Sequence, residues 1–346
     1  MRSLRPGLLA AAFLAAAAAF AEPPRLSWRE QQSGVAVRLR GVSAVSSRVA
    51  WASGMKGTVL RTTDGGEHWI LRPVPGGEAL DFRDVDATSD RVASVLSIGP
   101  GEASRIYKTV DGGATWTLQF QAQDPKMFLD AMAFFDERHG VAFGDSVDGQ
   151  FVILTTENGG MSWTRVPASR LPPALPNEGA FAASGTNISL VGRKHIWIGT
   201  SASRVLRSMD GGQRWTVVTT PMATGPTAGI FSIAFRDPKH GVAVGGDYKK
   251  ESEAVENAAY TADGGTTWTR VVERGLAGFR SVAAWLPRSA GSLVALGPTG
   301  IDRSSDGGRT WEPILLDRGY DTVSFAPDGA GWVAGTDGRI VRIQAP

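Results

Sequence analysis

The chain has 346 residues, no cysteine, 42% hydrophobic residues and nearly balanced charge, with 36 Lys and Arg against 34 Asp and Glu. The missing cysteines exclude disulfides, thiol nucleophiles and Cys-ligated zinc, and the charge balance leaves no general surface for nucleic acid. We expect no metal, no other cofactor and no nucleic-acid partner. Residues 1–21 open with Arg2 and Arg5, continue through an apolar run at 8–20 that is short for a bilayer span, and end on Ala19-Phe20-Ala21, a small-x-small cleavage signal. The expectation is a signal peptide at 1–21 and an exported, periplasmic or extracellular, monomeric chain at 22–346. No later stretch is apolar for 18 residues, so no membrane span is expected there, and the lack of Cys argues against lipidation. Removal of the leader takes two arginines and leaves 34 residues of each sign.

From residue 26 onward, short apolar runs alternate with turns, without helical periodicity. One phrase returns six times: Ser or Thr, a free residue, Asp or Asn, Gly-Gly, two residues, then Trp. Its polar position falls at Asp64, Asp111, Asn158, Asp210, Asp263 and Asp306, and its aromatic at Trp69, Trp116, Trp163, Trp215, Trp268 and Trp311. The spacings of 47, 47, 52, 53 and 43 residues are those of a four-stranded propeller blade. A carboxylate or amide oxygen can accept backbone N–H groups in a tight turn, the glycines can take positive φ, and the Trp offers a broad apolar face. The reading is a turn joining two strands, followed by a wedge between blades.

Each repeat carries the same strand order. In the second, residues 79–86, 91–97, 105–109 and 115–120 read as innermost to outermost strands, and later innermost strands fall at 128–135, 229–235, 279–285 and 320–325. After the sixth phrase, runs at 322–325, 332–335 and 339–343 form three strands of a further blade, and residues 26–30 supply the fourth. The predicted fold is all-β, a single seven-bladed propeller closed by the N-terminal strand, which removes exposed sheet edges.

The phrase resembles the Asp box of bacterial-neuraminidase-repeat propellers, and its tandem form is most similar to the photosystem II stability and assembly factor family. The likeness spans nearly the whole chain after the leader, with Asn158 as the one copy lacking Asp. It implies an exported, non-catalytic scaffold that binds a protein partner and aids assembly of an envelope complex. The same box occurs in sialidases, so the alternative is a glycoside hydrolase acting on an extracytoplasmic glycan.

Loop lengths locate the binding face. Turns from first to second and from third to fourth strand are short, whereas the other class is long and irregular at 97–104, 144–150, 167–183, 220–228 and 245–257. These loops bring Asp145, Glu178, Arg204, Asp247 and Tyr248 into the candidate binding rim, as polar loop groups whose single substitution should cost within about 0.5 kcal/mol. His139, His195 and His240 recur at equivalent positions of three repeats and are spread around the ring, which fits structural roles. A sialidase uses a Tyr nucleophile and three substrate-gripping arginines; the Arg-Ile-Pro phrase is missing, and of four tyrosines Tyr248 and Tyr320 alone are placed to approach the central face. No catalytic residue is assigned. Two-carboxylate hydrolysis by Asp145, Glu178 or Asp247 is the form the enzyme alternative takes.

Overall fold

The computed structural model describes residues 26–314 and 319–345; the expected signal peptide lies outside them. Seven four-stranded antiparallel sheets form a propeller. The innermost strands of blades 1 to 7 are Leu39–Ala44, Asp81–Ala87, Leu129–Phe134, Ile188–Val191, Ala228–Phe235, Val282–Trp285 and Tyr320–Phe325. Among the described residues the only helical segments are three single 3-10 turns, Gly101–Ala103, Ala168–Arg170 and Thr336–Gly338. Blade 7 is composite: its outermost strand is Ser27–Gln31, paired antiparallel with Ile340–Gln344 so that Ser27 faces Gln344 and Gln31 faces Ile340. The seven-bladed architecture and its closure by the N-terminal strand match the sequence reading.

The six Gly-Gly turns share one hydrogen-bond scheme. In the first, Thr62 Oγ1 donates to Asp64 Oδ1 at 2.9 Å and accepts the Gly66 N–H at 2.8 Å, while Asp64 Oδ1 accepts the His68 N–H at 3.0 Å. Gly65 and Gly66 sit at φ of 80° and 87°, a backbone that other residues reach only with strain. The Trp that follows packs back onto the preceding blade: Trp69 with Trp332 and Ala334 of blade 7, Trp215 with Phe143 and Ile153 of blade 3, Trp311 with Val242 and Val244 of blade 5. Four of these wedges are buried, while Trp116 and Trp163 are half-buried.

Around the axis, neighbouring innermost strands are stitched by side chains that accept backbone N–H groups from the next blade. Ser43 takes the N–H of Ala87 at 3.1 Å, Asp84 and Asp86 those of Met132 and Phe134 at 2.7 and 2.9 Å, and Ser324 that of Ala44 at 3.1 Å across the closure. These bonds satisfy strand edges that would otherwise be bare at the channel.

Candidate functional site

Five of the seven innermost strands carry a register shift at the same point, where one extra residue is squeezed out of the ladder: between Leu39 and Gly41, Phe82 and Asp84, Leu129 and Ala131, Ile230 and Ser232, and Tyr320 and Thr322. A β-bulge bends the strand and re-aims the extra side chain. The five displaced residues are Arg40, Arg83, Asp130, Phe231 and Asp321, and all five line one central cavity of about 510 Å3. The cavity opens on the face of the long loops, which add Asp145 from blade 3 and Tyr248 and Glu251 from blade 5.

Its floor is the crossing from blade 3 to blade 4. Arg83 donates to the Ala182 carbonyl at 2.7 Å, Arg40 to that of Ala183 at 3.2 Å, and Ser184 Oγ to that of Ser281 at 2.8 Å, so this one segment is tied to blades 1, 2 and 6. Phe181 stacks on Phe231 of blade 5 with ring centres 4.0 Å apart, and Gly185 passes where a Cβ would lie 2.3 Å from the Asp84 carboxylate. The result is a bowl with a floor and an aromatic wall, Phe181, Phe231, Phe279 and Tyr248, beside a charged one.

The charged wall is unevenly satisfied. Arg38 forms a bidentate pair with Asp321, both bonds 2.7 Å, which raises its pKa, and Arg83 pairs with Asp81 at 2.8 Å. Arg40 is different. Its nearest carboxylate is Asp321 at 3.9 Å, its Nε is buried without a partner, and burial pulls its guanidinium down to about 10. In the same cavity, Asp130 is 1% exposed, neither carboxylate oxygen makes a well-formed hydrogen bond, and burial, with the neighbouring Asp145 adding to it, pushes its pKa well above the ordinary range. Asp145 is raised by burial too, although the Ala180 N–H at 3.2 Å opposes the shift. The bowl therefore offers one cation without a close ion pair, two carboxyls biased toward their neutral form and an apolar shelf.

Of the rim residues named from sequence, two reach this bowl. Asp145 lines it, and Tyr248, 42% exposed, sets its ring edge-on to both Phe181 and Phe231 at 6.1 Å. Asp247 stands beside Tyr248 but turns onto its own loop, where it accepts the Lys249 N–H at 2.9 Å. Glu178 and Arg204 do not face solvent. Glu178 is 2% exposed and accepts from Arg204 Nε at 2.9 Å, Thr200 Oγ1 at 2.7 Å and the Leu175 N–H at 2.8 Å, a network that staples the proline-rich crossing to blade 4. The expectation of a negligible stability cost does not hold for these two. Tyr320 is buried at 2% in the core between blades 6 and 7 and leaves Tyr248 as the tyrosine in the cavity. His139 and His240 are held by Asp136 and Asp237 at 2.9 and 2.8 Å, and no cluster of three or more His, Cys, Asp or Glu among the described residues could hold a metal. No described helix is long and apolar enough to cross a membrane.

The bulged arginines and Asp130 were not singled out from sequence. A signal was present: aligned by repeat, Leu39-Arg40-Gly41, Phe82-Arg83-Asp84, Leu129-Asp130-Ala131, Ile230-Phe231-Ser232 and Tyr320-Asp321-Thr322 form a column of large apolar, variable, then small residue.

No family model matches the chain. It is 25% identical over 266 residues to the photosystem II assembly lipoprotein Ycf48 of Picosynechococcus, covering 64% of this chain and 70% of that protein. It is 24% identical over 334 residues to the chloroplastic photosystem II stability/assembly factor HCF136 of Arabidopsis thaliana, covering 84% of this chain and 71% of that one. A solved structure of YCF48 bound to a D1 peptide superposes with a TM-score of 0.66 at 17% identity, covering 92% of this chain and 97% of that one. In sequence and in fold the chain is thus similar to the photosystem II stability and assembly factors.

Proposed function

We propose that the protein is a non-catalytic scaffold whose central bowl receives a segment of a protein partner, and that it acts after export, in the assembly of an envelope complex. The observation that carries this reading is the ring of bulged residues, which joins Arg40 to an aromatic shelf in a cavity of a size suited to a few side chains. Peptide binding by a similar propeller, YCF48 with its D1 peptide, supports it. Arg40 suits a carboxylate or backbone carbonyl of the guest, and Tyr248 with Phe181 suits an apolar side chain.

The test is photo-crosslinking from position 248, with a second probe at Arg309 on the opposite face as control. We expect a partner joined to position 248 alone, and its loss in Arg40→Gln while that variant still melts in a single cooperative transition. Crosslinks from Arg309 instead, or capture indifferent to Arg40→Gln, would refute the assignment.

A second reading rests on Asp130 and Asp145, two carboxyls pushed toward the neutral form in one cavity, the kind of pair from which a glycoside hydrolase draws its acid. Turnover of a fluorogenic glycoside that disappears in Asp130→Asn would replace the scaffold reading with this one.

A further inference from the structure

A second polar groove, of about 660 Å3, lies at the outer side of the propeller between blades 3 and 4, away from the central bowl. It is bounded by the third Gly-Gly turn, by Arg165 at the end of the outer strand Thr164–Arg165, by Arg170 in the turn Ala168–Arg170, and by Arg193 of blade 4. Arg193 is held by Asp136 at 2.6 Å. Arg165 and Arg170 are exposed, and their guanidinium groups make no hydrogen bond or ion pair among the described residues. Glu157, exposed at the edge of the turn, is the one carboxylate in the lining.

The turn in this groove is the one that carries Asn158 where five others carry Asp, and the exchange does more than remove a charge. In the turns of Asp111, Asp263 and Asp306, the second carboxylate oxygen accepts the hydroxyl of Thr115, Thr267 or Thr310, at 2.6, 2.7 and 2.7 Å. In the third turn Asn158 Oδ1 already accepts the Ser162 N–H and the Thr156 hydroxyl, both at 3.0 Å, which fixes the amide orientation. Its Nδ2 must then donate to Ser162 Oγ, at 2.9 Å. The bond is reversed relative to those three turns: Ser162 Oγ becomes the acceptor, which leaves its own proton free for an acceptor in the groove it lines.

We propose that this groove binds the oxyanion of a phosphate-bearing ligand. Two unpaired guanidinium forks and an outward-donating hydroxyl present donors, the complement of a phosphate, and the volume lies within the usual span of ligand sites. The phosphate can come from a soluble phosphorylated compound or from a lipid headgroup, and the experiment separates them.

Calorimetric titration of the full chain with inorganic phosphate at low ionic strength should show saturable binding. Asn158→Asp restores the residue that five sister turns carry, so the turn should fold; it returns a negative charge and turns the serine hydroxyl back toward the carboxylate. That variant and the double variant Arg165→Gln/Arg170→Gln should each weaken phosphate binding by about tenfold or more. Arg40→Gln, in the central bowl, should leave it unchanged. In parallel, co-sedimentation with phosphatidylcholine vesicles, with and without phosphatidic acid, assigns the source. Association with phosphatidic acid that inorganic phosphate competes away identifies a headgroup, and phosphate binding without vesicle association identifies a soluble ligand. Absence of saturable binding to either probe, binding unaltered by Asn158→Asp and the arginine pair, or binding lost in Arg40→Gln would overturn the proposal.

Discussion

Gln31 is the side chain that ties the closure of the ring together, and its replacement by Leu is a quantitative test of how that closure is held. Its Oε1 accepts the indole N–H of Trp69 at 3.0 Å and of Trp332 at 3.1 Å, and its Nε2 donates to the Gly65 carbonyl at 2.8 Å, with the residue 9% exposed. Leucine fills similar space and accepts nothing. Gly65 keeps the Arg342 Nη1 donor at 2.9 Å, so the cost falls on two stranded indole N–H groups. A buried donor without a partner costs about 1–3 kcal/mol. The indoles of Trp116, Trp163 and Trp268 already lack partners in this fold, which argues for the lower half of that range, about 2–4 kcal/mol for the pair. Urea denaturation followed by tryptophan fluorescence measures it, with Glu30→Gln, an exposed change on the same strand, as the reference. A Gln31→Leu midpoint equal to that of Glu30→Gln would refute the reasoning.

Glu178→Ala should cost about 3–5 kcal/mol, because it leaves the Arg204 guanidinium, 13% exposed, without its counter-charge; Tyr248→Ala in the same melt should cost far less. Burial raises Asp86 to about 6, so between roughly pH 4 and 6 the folded chain holds a proton that the unfolded chain has released. This group therefore favours folding most at the acidic end, and stability should fall as pH rises through 6, by an amount of order 1–3 kcal/mol. Asp86→Asn keeps an acceptor for the Phe134 N–H and should make that slope shallower in denaturation curves between pH 4 and 6; a slope equal to that of the parent chain would sink the assignment.

Blade count, strand order and closure were legible in the sequence because they depend on local chemistry repeated at intervals: a hydroxyl, a carboxylate, two glycines and a Trp, each acting within a few residues. The face of the bowl was legible for a similar reason, since loop length is a local property. Its chemistry was not. Arg40 and Ala183 are 143 positions apart, and Ser184 and Ser281 are 97 apart, so contacts through the axis leave no mark on any one segment. Glu178 illustrates the opposite error. Its place in a proline-rich loop suggested exposure, but the loop folds back and needs a buried ion pair to hold its backbone groups.

The bulges have a consequence for how such a protein can change. A residue extruded from the ladder contributes little to the pairing of its own sheet, while the wedges and turns that hold the blades together lie elsewhere. The five bulged positions therefore act as letters written on a frame whose strand pairing does not depend on them. Asp130, whose carboxylate makes no well-formed bond, is the letter most open to rewriting, whereas Arg40, Arg83 and Phe231 also hold the crossing from blade 3 to blade 4, so a change there alters the shape of the bowl as well as its chemistry.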